Sequence, residues 1–434
     1  MRQLSERPLL LLLAGVQFTH IMDFMIMMPL APQLMRELHV GPGQFSALVA
    51  AYTISSGLVG LLAAPFIDRF DRRTLLLFTY AGFALGTLAC GLAQNATALL
   101  AARVLSGAFG GVSGALVMAI VSDVVPAQRR AAGIGIVMTA FSVAAAMGVP
   151  FGLQLAQRFQ WEAPFFMLAS IAAVMWLVAF IGLPAVRGHL QEDPGHRTRA
   201  FAELLHDANA GRALLFMATL VFGHFAIIPL LSPYLVANVG LPERHLFLVY
   251  FVGGALTVFT APLVGRLADS MGRFRVYSFL VAVAGLVTLA IAHAGPLPTW
   301  TVLVLSGLFF VFASGRFVPA QAIVSLAVPS SRRGAFMSLS GCARDLAAGL
   351  TSSIGGWVVT RAPSGQLMNF QWLGWMAVAA SLVSLWLAHH VRVNESEEPI
   401  RATGDLSARP LNPQPSTLNP QPSILNPQPL TINH

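Results

Sequence analysis

Lysine is absent from this 434-residue chain, and all 26 basic residues other than histidine are arginine. Charge of either sign is scarce. Only 10% of the residues are charged, where a soluble domain carries about 25%. So little polar surface excludes a soluble globular fold. Cysteine is scarce too: Cys90 and Cys342 are the two present. Both lie in apolar stretches, without CxxC spacing or a nearby histidine cluster, so no metal or redox centre is expected. There is no G-x-x-x-x-G-K-[ST] stretch, which argues against direct use of ATP. There is also no HExxH motif or histidine box, which argues against a membrane enzyme. No cofactor is expected.

What is present is long apolar sequence. The chain is 56% hydrophobic, and windows of about 20 apolar residues, enough to cross a bilayer, recur from Leu9 to His390. They place spans near 9–32, 45–66, 74–93, 98–121, 133–156, 164–185, 213–237, 246–266, 275–294, 299–324, 336–360 and 370–390. Arg2 and Arg7 ahead of Leu9–Leu13 have the look of a signal peptide. However, the apolar run continues through Met28 without a cleavage site, so it reads as a retained span.

The arginines orient these spans. With the N-terminus inside, Arg36, Arg158, Arg244 and Arg361 fall in outside loops, and Arg103, Arg316 and Arg344 fall within spans. The other nineteen of the 26 lie in the N-terminus, the inside loops and the tail. This bias places both termini in the cytoplasm of a cell-membrane protein. It also accounts for the net charge of +8 without nucleic acid, because the arginines sit in short loops rather than on one basic face. The reading is all-α: twelve transmembrane helices in two six-helix bundles. Residues 1–186 form the first bundle, 187–212 a cytoplasmic linker with a short amphipathic helix around Phe201–His206, and 213–390 the second bundle. The tail, 391–434, contains LNPQPST, LNPQPSI and LNPQPLT, a Pro-rich repeat with no apolar face to bury, expected to be disordered.

The halves echo each other. APFIDRFDRRTLL at 64–76 recurs as GRLADSMGRFRVY at 265–277, SDVVPAQRR at 122–130 as SLAVPSSRR at 325–333, and VLSG at 104–107 again at 304–307. Duplicated six-helix units are a common way to build a transporter. These residues resemble the major facilitator superfamily, over roughly residues 8–390, and within it the drug and sugar efflux group. The family's loop motif, G-x-x-x-D-R/K-x-G-R-K/R, is matched by Gly265, Asp269, Gly272 and Arg273. The first copy keeps Asp68, Arg69, Arg72 and Arg73 but has Ala64 and Asp71 where glycines are usual. A small residue at the motif's start lets two helices approach closely, and the acid and arginines form a charge cluster at the helix end. The resemblance implies that this cluster helps latch the cytoplasmic side shut. Leu99, Arg103, Ser106 and Gly107 are similar to the family's span-four motif. Span five, with Gly148, Pro150 and Gly152, departs from the antiporter-type G-x-x-x-G-P-x-x-G-G at Ala144 and Val149. A kinked, closely packed helix is still expected there. Asp23-Phe24 and Pro29-Leu30-Ala31-Pro32 look like the opening span of efflux members.

Ionisable residues inside spans are costly and ask for a reason. Asp23 and Arg103 are expected to pair, since the resemblance brings spans one and four to one cavity. Arg344 and Asp345 in span eleven point about 100° apart on a helix, so each should find a different partner, with Arg316 the candidate for Asp345. His224 has a ring that can titrate near neutral pH, but a lone histidine on an apolar helix reads first as a packed, hydrogen-bonded side chain. Phe24, Trp161 and Tyr234 read as packing or interface aromatics. The expected function is secondary transport of a small molecule by alternating access, acting as a monomer. Proton-coupled efflux of drug or sugar type leads. Metabolite uptake is the first alternative, and a transport-inactive sensor or scaffold the alternative of another class.

Overall fold

A computed structural model describes residues 6–393 apart from 68, 127–128, 188–202, 205 and 330–331. Asp68, most of the linker with its expected short helix, and the LNPQP repeats lie outside the described residues.

The described chain is almost entirely helical, as it must be where lipid offers the backbone no hydrogen bonds. In order, the helices are α1 (Glu6–Ile26), α2 (Ala31–Glu37), α3 (Pro42–Ile67), α4 (Arg72–Gly91), α5 (Ala96–Val124), α6 (Arg130–Val143), α7 (Val149–Arg158) and α8 (Ala163–Gly182). The second half continues with α9 (Ala208–Phe225), α10 (Ile228–Ala237), α11 (Leu246–Met271), α12 (Arg273–Ala292), α13 (Thr299–Phe309), α14 (Phe317–Ser325), α15 (Arg333–Val358) and α16 (Phe370–His390). A two-stranded hairpin, Thr360–Arg361 with Leu367–Met368, links the last two. Local chemistry starts the helices where the loops end. The side chains of Asp71, Asn95 and Asp207 accept backbone N–H bonds at the starts of α4, α5 and α9, as N-caps do.

Eleven segments among the described residues are long and apolar enough to cross a bilayer. The twelfth is α15, whose 26 residues give ample length at 1.5 Å per residue. Its Arg344, Asp345 and run of serines and glycines lower its hydropathy, because it is buried against protein. Three of the spans are not single helices. Span five passes from α6 to α7 through a π turn, Ala144–Gly148, and span ten passes from α13 toward α14 through another, Phe310–Ser314. Span seven breaks between α9 and α10 at Ala226–Ile227. Span one, expected to run to residue 32, ends at Ile26, and the chain turns before α2.

The cores show how the halves meet. At the end far from the termini, one buried cluster takes Met22, Phe45 and Phe165 from the first half together with Leu230, Tyr250 and Phe309 from the second. At the terminus-bearing end the cores are separate. One holds Leu13, Tyr80 and Val121, a second holds Phe216, Tyr277 and Phe336, and a small third holds Val264, Ala268, Val276 and Leu280. Two seams join the halves, α3 against α15 and α11 against α7 with the preceding π turn. Both are lined with small residues. An added Cβ at Gly356 would lie 2.6 Å from Ser46 Cβ, and one at Gly57 would lie 3.0 Å from the Cys342 carbonyl. One at Gly254 would lie 2.5 Å from the Ala145 carbonyl oxygen.

Candidate functional site

The expected pair forms. Arg103 Nη1 donates to Asp23 Oδ2 at 2.8 Å, and both side chains are wholly buried. Arg103 also reaches the Asp23 carbonyl at 3.3 Å. Its guanidinium lies over the Tyr52 ring, 4.2 Å from the centroid, a cation–π contact strengthened by the absence of water. Tyr52 Oη in turn shares a 2.8 Å hydrogen bond with His20 Nδ1. Phe24 stacks on Tyr52 at 5.7 Å and meets Phe225 of α9 at the same separation. The first-half site therefore touches the second half through an aromatic bridge at the broken span.

The pair is under-satisfied. Asp23 Oδ1, Arg103 Nε and Arg103 Nη2 are buried without a hydrogen-bond partner. Thr87 Oγ1 is likewise buried without a hydrogen-bond partner. A buried ion pair is stabilising only when its remaining donors and acceptors are met, and here three of them are not.

The span-eleven charges behave differently from expectation. Asp345 accepts from Ser56 Oγ of α3 at 2.6 Å, across the seam between the halves. Arg316 is not its partner: Arg316 Nη1 donates to Ser381 Oγ at 2.7 Å and Nε to the Ala313 carbonyl at 3.1 Å. Its partner Ser381 lies in α16, not in α3 or α15. Arg344 Nε is buried without a partner. His224 is packed as expected, stacked on Phe309 at 6.0 Å and edge-on to Phe317 at 5.2 Å, but its Nδ1 has no hydrogen bond. Tyr234 and Trp161 are packing residues, Tyr234 lying 3.9 Å from Phe370 and Trp161 in the far-end core.

The loop motifs are charge networks. Arg72 Nε meets Asp123 Oδ2 at 3.1 Å, and Arg73 Nη2 donates to the Phe180 carbonyl at 2.7 Å. Arg69 lies 5.3 Å from the Phe66 ring. Asp71, the departure from the family pattern, ties the start of α4 to the chain just after α8: it accepts from Arg73 N, Val186 N and Arg187 Nε at 3.0, 3.2 and 2.9 Å. Partial burial pushes its carboxyl up, but these donors outweigh that and hold it below the usual carboxylate range. In the second copy, Gly272 takes φ +95° where α11 turns into α12, a conformation that favours glycine. Gly265 does not mark a close approach, since an added Cβ there would meet only Val318 at 3.9 Å. The spacing glycine of that helix is Gly254 instead. Asp269 and Arg273 stand at either side of the α11–α12 turn and both have interaction partners. In span five, added Cβ atoms at Gly148 and Gly152 would come within 2.8 Å of Met22 Sδ and 2.7 Å of Ile26 Cδ1. The π turn ends directly ahead of Val149-Pro150 and re-routes the backbone that proline interrupts. Span five is thus closely packed against α1, with a π turn ahead of its proline.

Composition pointed to none of Tyr52, His20, Ser56, Asp123 and Ser381. Of these only Asp123 carried a signal, as the acid present in the first SDVVPAQRR copy and missing from the second.

Comparison with known proteins agrees with this architecture. A sequence profile of the Major Facilitator Superfamily matches residues 13–316. Two uncharacterized MFS-type transporters of Bacillus subtilis (strain 168) are similar over most of their length. YceJ is 25% identical over 346 residues, covering 79% of this chain and 87% of that protein. YtbD is 25% identical over 394 residues, covering 87% and 94%. Among solved structures, a bacterial homolog of the human lysosomal transporter Spinster, in an inward-facing and unoccupied conformation, superposes with a TM-score of 0.69 at 16% identity. It covers 88% of this chain and 97% of that one. The profile match over most of the spans, with the twelve-span helical fold, shows that the chain belongs to the Major Facilitator Superfamily.

Proposed function

We propose that the chain is a proton-coupled secondary transporter that exports a small molecule of drug or sugar type by alternating access. The two bundles, 1–186 and 213–390, rock against each other along the two glycine-rich seams. The shared far-end core and the separate terminus-end cores correspond in this reading to a state closed outside and parted toward the cytoplasm, with both termini in the cytoplasm. The observation that carries the coupling is the buried Asp23–Arg103 pair with its three unmet polar atoms. Protonation of Asp23 would release Arg103, already seated over Tyr52, to substrate, and deprotonation would restore the pair. Because Phe24 rests on both Tyr52 and Phe225, rearrangement at the pair is felt in the other half. The Pro-rich end of span one favours export over uptake.

The test is transport in proteoliposomes under an imposed pH gradient. Wild type and Asp23→Glu should accumulate substrate against its gradient, and Asp23→Asn should only equilibrate it. Uphill transport by Asp23→Asn at the wild-type rate would remove the proton role. Accumulation driven in the same direction as the proton gradient would assign uptake.

A further inference from the structure

A positive charge lies inside the second half with no carboxylate to answer it. Arg316 is 3% exposed, and its two hydrogen bonds go to neutral oxygens, Ser381 Oγ and the Ala313 carbonyl. The Ser381 hydroxyl proton is already committed to the Ala377 carbonyl at 2.7 Å. The Tyr277 and Ser384 hydroxyls bond to each other at 2.7 Å. Among the described residues Arg316 makes no ion pair, and Asp345 is taken up by Ser56. A guanidinium removed from water without a counter-charge is among the costliest groups a membrane protein can hold.

Two independent features point at the same place. His224 meets Phe317, the residue after Arg316, edge-on at 5.2 Å; a Cβ built at the preceding Gly223 would lie 3.2 Å from the same Ser381 Oγ that Arg316 reaches; and His224 Nδ1 is buried with no partner. The backbone is also irregular on both sides. Helix α9 ends one residue past His224, and the π turn Phe310–Ser314 ends two residues before Arg316. Broken spans and π turns gather where membrane transporters hold ligands. Arg103 offers no such vacancy in charge, because it already has Asp23.

We propose that Arg316 and His224 form a subsite for a small monovalent anion, either the carboxylate of a substrate or a halide. Arg316 supplies the charge and its remaining N–H groups. His224 supplies a donor from Nδ1, with its ring held by Phe309 and Phe317. The proposal does not rest on proton coupling, and it is tested by binding rather than by transport.

The experiment uses the purified full chain in detergent, at constant ionic strength, with chloride or acetate replacing methanesulfonate. A ligand that binds only the folded state raises the thermal midpoint, increasingly with its concentration. The wild-type midpoint should rise with chloride, with acetate, or with both. The response should vanish in Arg316→Gln. It should need roughly tenfold more anion in Arg316→Lys, which loses the planar fork, and in His224→Phe, which keeps the ring stack. A response to acetate that competes with chloride assigns the site to a substrate carboxylate; a response to chloride alone assigns it to a halide. A wild-type midpoint identical in all three anions overturns the proposal. If Arg316→Gln yields no folded protein, unchanged apparent affinity in both Arg316→Lys and His224→Phe overturns it equally.

Discussion

Gly254 sits where α11 crosses the π turn of span five, and replacing it with alanine is the sharpest probe of the seam. The added Cβ would lie 2.5 Å from the Ala145 carbonyl oxygen and 2.7 Å from Ala146 Cα. Both are backbone atoms and cannot turn aside as a side chain would. Ordinary contact begins near 3.4 Å, so the helices must part by roughly 1 Å, and overpacking of this kind costs about 1–3 kcal/mol. If the seam opens during the transport cycle, that cost falls on one conformation and shifts the equilibrium between conformations by about 5- to 150-fold. Gly265→Ala, on the same helix, is the control, because its Cβ meets only Val318 at 3.9 Å. Spin labels at the exposed positions Glu37 and Arg244, on a background without native cysteines, would read the far-end separation by pulsed dipolar spectroscopy. Gly254→Ala should enrich the longer-distance population at least about fivefold, and Gly265→Ala should leave the distribution unchanged. A wild-type distribution and thermal midpoint for Gly254→Ala would refute both the contact and its placement on a moving interface.

Arg103→Met should lower stability by about 3–5 kcal/mol, the usual consequence of stranding one member of a buried pair, read as a loss of thermal midpoint in detergent. Gly272→Ala should cost about 1–2 kcal/mol for forcing a Cβ into positive φ, again visible in the midpoint and absent in Gly265→Ala. Ser56→Ala should destabilise by about 1–3 kcal/mol, because it leaves the Asp345 carboxyl buried without its donor. Asp71, held below the ordinary carboxylate value of 3.8, contributes stability that is present above that value and is lost as pH falls through its lowered folded value. Wild type should therefore lose midpoint more steeply than Asp71→Asn below about pH 4, where unfolded carboxylates take up protons. Parallel curves would show that the Asp71 network does not stabilise the fold.

The spans, their number and the Asp23–Arg103 pair were legible in the sequence because each rests on a strong and local cost. Hydrocarbon demands apolar runs, and a charge in mid-span demands a partner. The partner of Asp345 was not legible. Ser56 is one of several hydroxyls in α3, and only the register of α3 against α15 selects it. Arg316 was assigned to Asp345 on charge alone, but it bonds the neutral Ser381 of α16, and nothing in the sequence singles out that serine. Gly265 misled for a related reason. It lies in the motif, yet the tight crossing falls three turns earlier at Gly254, where the opposing residues are alanines in another span. Asp71 looked like a defect when judged by pattern, but it supplies the cap and the tie to Val186 and Arg187.

The seam between α3 and α15 has one further consequence. A Cβ built at Gly60 would stand 3.1 Å from Cys342 Sγ, so the chain already carries half of a covalent clasp across its two halves. A single cysteine at position 60 would complete it. An oxidant would then join α3 to α15 covalently, and a reductant would release them, so that if the halves rock as proposed, the motion would be stopped and restarted by electron transfer rather than by ligand.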